Sequence, residues 1–144
     1  MIRVLLALLM STICFTAQAD EIDTLNKQQL IHHLKQVNAL QNKVLMKNST
    51  VEDANQLFAQ YTNDFTYVHE VYGGTYTRKG LYKNTVKYLK QGKYQRTTDR
   101  YQVIKSMTGL NAISVLRKQD DGEIHLSVFE FRGSKVSKII EYWR

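Results

Sequence analysis

His69 and Glu70 stand side by side in the stretch YTNDFTYVHEVYGG, residues 61–74. An imidazole titrates near neutrality and can accept or deliver a proton, and a carboxylate is a common partner for it. The spacing argues against such a pair here. The stretch has strand character, and neighbours on a strand point to opposite faces. His69 alone is therefore the candidate general base. His125 lies on the same inward face of a later strand by alternation. A metal would need a third ligand, for which Glu141 alone offers itself, so no metal site is expected. HEVYG is not a zinc-protease helix, because Gly73 stands where the second histidine belongs. Gly73-Gly74 is not a phosphate loop, since no Lys-Ser/Thr pair follows. It reads as a turn before the third helix. His32-His33 falls at the edge of a solvated helical face. No cofactor motif is present, and none is expected.

The chain that must position these groups has 144 residues, which suits one domain with one core. Residues 1–19 have the form of a signal peptide: Arg3, the apolar run VLLALLM, and Ala17-Gln18-Ala19 as an A-x-A cleavage site before Asp20. The apolar run is too short for a stable membrane span. The expected product is a periplasmic or secreted domain over residues 20–144. Cleavage removes Cys14, the one cysteine, and with it any disulfide or thiol chemistry.

Formal charge is +7. Most of the excess lies in the basic region between Arg78 and Lys105, where nine cationic residues face a lone Asp99. Lys79, Lys83, Lys87 and Lys90 share one helical face. That face is either a solvated surface or a site for an anionic partner. Nucleic acid is not expected, because no recognition motif is present.

Three helices and five strands are expected. Thr24 with Gln28 reads as a helix start, and Ser49 with Glu52 as a capping box. Thr77 caps a third helix that Gly92 ends. Phe65, Tyr67, His69 and Val71 form the inward face of the first strand. Strands near 98–107, 111–119, 123–132 and 136–144 follow, joined by short turns as an antiparallel meander. In 123–132 one face is His125, Ser127, Phe129 and Phe131; the other is Ile124, Leu126, Val128 and Glu130. In the last strand one face is Ser137, Ile139, Glu141 and Trp143, and the other carries Val136, Ile140 and Tyr142. Both faces are apolar, so both should be covered. Helices cover one; a second copy is the simplest cover for the other, making a homodimer through the outer sheet face. The fold class is α+β, with a curved antiparallel sheet packed on helices.

LFAQYTNDFTYVHEVYGG, then YTRKGLYKNTVKYL, then FEFRGSKVSKIIEYW together resemble the nuclear transport factor 2-like superfamily, which includes SnoaL-like cyclases and ketosteroid isomerases. The resemblance spans about Leu30 to Trp143 and makes residues 20–144 a single SnoaL-like domain. It implies a cone-shaped fold with a pocket between the helices and the concave sheet. Aligned on YTNDFTYVHE, the isomerases' proton-abstracting base falls on His69 and their hydrogen-bonding acid on Ser127. Their oxyanion tyrosine falls near Leu45, where there is no tyrosine. Trp143 matches a pocket-lining tryptophan. Steroid isomerisation by that residue set is therefore not expected. The implied pocket is lined by Tyr67, His125, Phe129, Glu141 and Trp143, with His69 and Ser127 as catalytic candidates. Three functions remain in play: an exported binder of a small apolar or aromatic ligand, a dehydratase, isomerase or cyclase using His69 as base, or a dimeric structural or assembly module.

Overall fold

The structure, a computed structural model, describes residues 24–142. The expected signal peptide and Trp143 lie outside the described residues. Helix α1 (Lys27–Leu45) and α2 (Val51–Ala59) come first, then strands β1 (Tyr61–His69) and β2 (Gly74–Thr77). Helix α3 (Arg78–Lys90) follows, and β3 (Gln102–Gly109), β4 (Ala112–Lys118), β5 (Ile124–Arg132) and β6 (Lys135–Tyr142) complete the chain.

Each helix starts on a side-chain cap, twice not at the expected residue. Asn26 caps α1 in a reciprocal box with Gln29. Thr24 and Gln28 are four apart, whereas the box needs a separation of three. Thr50 and Asp53 cap α2, not Ser49 and Glu52. Both pairs have the right spacing. Ser49 is diverted because its hydroxyl donates to the Met46 carbonyl at 2.7 Å, finishing α1. The Asp53 carboxylate accepts from Thr50 N–H at 2.7 Å and pairs with Lys43 at 2.7 Å. Helix α3 starts at Thr77, as expected. It ends in a Schellman turn: Gly92 N–H donates to Leu89 and Lys93 N–H to Tyr88, with Gly92 at φ 62°.

The sheet has six strands in the order β2-β1-β6-β5-β4-β3. The meander is present, but the sheet is mixed, because β6 lies parallel to β1. Helix α3 carries the chain from β2 to the far edge, so the meander folds back and ends beside β1. Bulges between Glu130 and Phe131 and between Val103 and Lys105 bend the sheet. The first of these also turns Val136 inward opposite Phe131, correcting its expected outward place. A strand was missed at 74–77. Gly73, at φ 68°, closes a hairpin by donating to His69, so Val71 sits exposed in that turn rather than facing inward.

The concave face packs on α1 and α2. Leu30, Leu34 and Val37 of α1 meet Ile113, Val115, Phe129 and Ile139 of the sheet in one core. Tyr61 stacks on Phe65 with ring centroids 4.1 Å apart. Helix α3 buries no residue fully. Leu81, Tyr82 and Leu89 only lean on the core, which leaves room beneath them.

Candidate functional site

Alternation on β4, β5 and β6 brings three polar side chains to one place on the concave face. Arg117, Ser127 and Glu141 are 1 %, 0 % and 2 % exposed. Arg117 Nη2 donates to Glu141 Oε1 at 2.7 Å, and Ser127 Oγ donates to Glu141 Oε2 at 2.6 Å. Ser127 Oγ in turn accepts from Arg117 Nε and Nη2 at 3.2 and 3.0 Å. Arg117 Nη1 donates to Gln41 Oε1 at 2.7 Å, and Gln41 Nε2 donates to the Tyr61 hydroxyl at 3.2 Å. The Tyr101 ring covers the guanidinium at 4.1 Å, held there because Asn42 bonds both backbone groups of Tyr101. A buried ion pair survives only with this kind of multiple satisfaction.

Next to this cluster lies a cavity of about 210 Å³ between the helices and the sheet. Gln41, Val44 and Leu57 wall it from α1 and α2, Leu81 and Thr85 from α3. Tyr61, Phe65, Tyr67 and Ile139 form its floor, and Tyr94 and Tyr101 close it from the loop after α3. Burial pushes the phenols of Tyr61, Tyr67 and Tyr101 above their ordinary value. They stay neutral at ordinary pH, so each keeps an O–H to donate and none serves as a base.

Among the described residues the expected pocket and the observed cavity share Tyr67 alone. His69, His125, Ser127, Phe129 and Glu141 are all buried on the inward face, as their alternation requires. None of them lines the cavity. Phe129 packs in the core under Arg117. Ser127 is committed to the ion pair. His125 Nδ1 lies 2.7 Å from the Gln119 amide, which also accepts from Arg100. His69 is covered by the Tyr72 ring at 4.5 Å, and its Nδ1 accepts from Tyr72 N–H. Glu70 is exposed, so the two do not act together. Among the described residues no group of three His, Cys, Asp or Glu is placed to hold a metal.

The geometry around His69 is that of a packed core histidine. His69→Ala is expected to lower unfolding free energy by about 1–3 kcal/mol, read by urea denaturation. Unchanged stability with lost turnover of a substrate would assign His69 a catalytic role instead.

The basic region also divides. Arg78 donates from Nε and Nη2 to the Phe58 carbonyl and so finishes α2. Arg96 pairs with Asp120, and Lys93 lies over the Tyr88 ring. Lys79, Lys83, Lys87 and Lys90 remain as an exposed stripe on α3.

Arg117, Gln41 and Tyr101 were not singled out from sequence. The available signal was Arg117 itself, in phase with Ile113 and Val115 on a strand whose inward positions are otherwise apolar.

No family model matches the chain, and no curated protein matches it in sequence. Solved structures do match. A SnoaL-like protein of unknown function from Burkholderia thailandensis aligns with TM-score 0.60 at 12% identity, over 83% of this chain and 98% of that one. The fold is nuclear transport factor 2-like. A nuclear transport factor 2-like protein of unknown function from Burkholderia xenovorans aligns with TM-score 0.58 at 14% identity, over 80% and 82% of the two chains. TerC, co-crystallised with polyporic acid, aligns with TM-score 0.55 at 13% identity, over 81% and 92%. At such identities the likeness carries the fold and no activity. In this chain the space between the helices and the concave sheet is the tyrosine-walled cavity.

Proposed function

We propose that this chain is an exported small-molecule-binding protein whose ligand, a small apolar or aromatic compound, occupies the cavity between α1, α2, α3 and the concave sheet. The observation that carries this reading is the contrast between the cavity and its surroundings. The wall is apolar and aromatic, while the nearby ionic groups are bonded to one another rather than turned toward a substrate. TerC, which shares this fold, was co-crystallised with polyporic acid, a small organic compound. Mass spectrometry of the natively purified protein tests the reading. A stoichiometric small-molecule adduct that dissociates on unfolding supports it; an adduct that persists on the unfolded chain, or binding of no small aromatic compound, contradicts it.

Export rests on the A-x-A site before Asp20. N-terminal sequencing of the protein from its natural host should begin at Asp20, and a start at Met1 would contradict it.

A second copy is the proposed cover for the outer sheet face. Leu116, Leu126 and Tyr142 form one cross-strand row there, and Val128, Ile140 and Val68 the next. Ile124 is 59% and Leu126 38% exposed on this face, an aggregation liability for a lone chain. Leu126→Glu is expected to shift the protein from dimer to monomer in sedimentation velocity. A wild-type monomer at high concentration would contradict the dimer.

A further inference from the structure

We propose that the ligand of the cavity is an uncharged compound of one or two rings, bearing an oxygen acceptor that the hydroxyls of Tyr67 and Tyr101 hold together. The proposal rests on the cavity being a ligand site and adds its chemical class.

Size comes first. An apolar cavity of about 150 Å³ holds one benzene, and pockets for drug-sized ligands begin at about 300 Å³. At about 210 Å³ this cavity lies between the two. It takes one ring with a substituent, or two compact rings, and it is too small for a four-ring skeleton.

Charge comes second. Two cations lie over Tyr101 on the wall: Arg117, which Glu141 neutralises at 2.7 Å, and Arg100, 5.1 Å from the ring and bonded through Nε to Gln119. Among the described residues no Asp, Glu, Lys or Arg lines the cavity. A carboxylate or ammonium ligand would lose its hydration there and gain no counter-ion, a cost of several kcal/mol. The occupant is therefore neutral.

The polar handle comes third. Of the four tyrosines on the wall, Tyr61 accepts from Gln41 and Tyr94 bonds to Thr85. Tyr67 and Tyr101 are different. Neither hydroxyl has a hydrogen-bond partner among the described residues, and neither oxygen is sealed off by protein. Both line the same cavity, Tyr67 from β1 on its floor and Tyr101 from the loop that closes it. Two neutral phenols with O–H groups to donate, on an otherwise apolar wall, match an oxygen with two lone pairs: a carbonyl, quinone, nitro or ether oxygen. A hydrocarbon ligand would give both hydroxyls no partner and should therefore bind more weakly than one with an oxygen acceptor.

Titration calorimetry with four probes separates these statements: acetophenone, ethylbenzene, benzoate and a four-ring steroid ketone. Acetophenone is expected to bind about tenfold more tightly than ethylbenzene, and benzoate and the steroid not to bind. Tyr67→Phe and Tyr101→Phe should each weaken acetophenone about three- to tenfold and leave ethylbenzene unchanged. Equal binding of acetophenone and ethylbenzene, with both phenylalanine variants silent, overturns the proposal and leaves the cavity as a ligand site. Preferred binding of benzoate or of the steroid overturns it on charge or on size. Failure of all four probes overturns the proposal and the ligand-site reading together.

Discussion

Replacing Arg117 with alanine is expected to cost about 3–5 kcal/mol of unfolding free energy. The change strands Glu141, which is 2 % exposed, as an uncompensated carboxylate. It also removes two donors to Ser127 and one to Gln41. A domain of this size has about 5–15 kcal/mol in total, so the variant should sit near the edge of folding. The cost belongs to breaking the pair, not to the worth of the pair. Arg117→Met combined with Glu141→Leu and Ser127→Ala removes the three strand members of the network at once and leaves Gln41 bonded to Tyr61. That triple variant should be more stable than Arg117→Ala, and near the parent. Urea denaturation of the three proteins checks this. A cost below about 1 kcal/mol for Arg117→Ala would mean that the pair is hydrated rather than buried.

Thr85→Trp is expected to abolish ligand binding, by at least a hundredfold, while leaving the fold intact. Thr85 projects from α3 into the cavity, and α3 has no fully buried residue. The helix can therefore absorb a larger side chain by tilting outward, at small cost compared with an overpacked core position. The indole would occupy the space the ligand needs. Loss of the Thr85 hydrogen bond to Tyr94 is a minor term, and Thr85→Val controls for it: that variant should bind nearly as the parent does. Calorimetry with acetophenone, alongside thermal unfolding, reads both effects. Undiminished binding to a well-folded Thr85→Trp would place the ligand elsewhere.

Much of the concave face was legible because strand alternation is strict where one face meets a core. His125, Ser127, Phe129 and Phe131 on β5 are all buried, and so are Phe65 and His69 on β1. Alternation fails where the backbone leaves regular geometry. Val71 was counted with its strand, but the hairpin at Gly73 had already ended it. Val136 was counted outward, but a bulge turned it in. Nothing in local pattern announces a bulge, because it depends on the partner strand. The caps missed by one or two residues for a similar reason: Ser49 had a competing acceptor in Met46 that only the fold supplies. The parallel pairing of β1 with β6 joins residues far apart in sequence, which no short-range signal reports. The site followed the same division. Inwardness could be read from sequence, but not which inward groups satisfy one another. Ser127 and Glu141 were expected to face a ligand, and Arg117 instead ties them together. The cavity formed a step away, under α3, where half-buried Leu81 and Thr85 leave space.

The most direct test of the central claim, that this cavity holds a small molecule, is a crystal structure of the protein grown with 4-bromoacetophenone. The account predicts a bromine anomalous peak inside the cavity walled by Tyr61, Phe65, Tyr67, Leu81 and Tyr101, with the carbonyl oxygen within hydrogen-bonding distance of Tyr67 and Tyr101. An empty cavity, with bromine found only on the outer sheet face or in solvent channels, would contradict it.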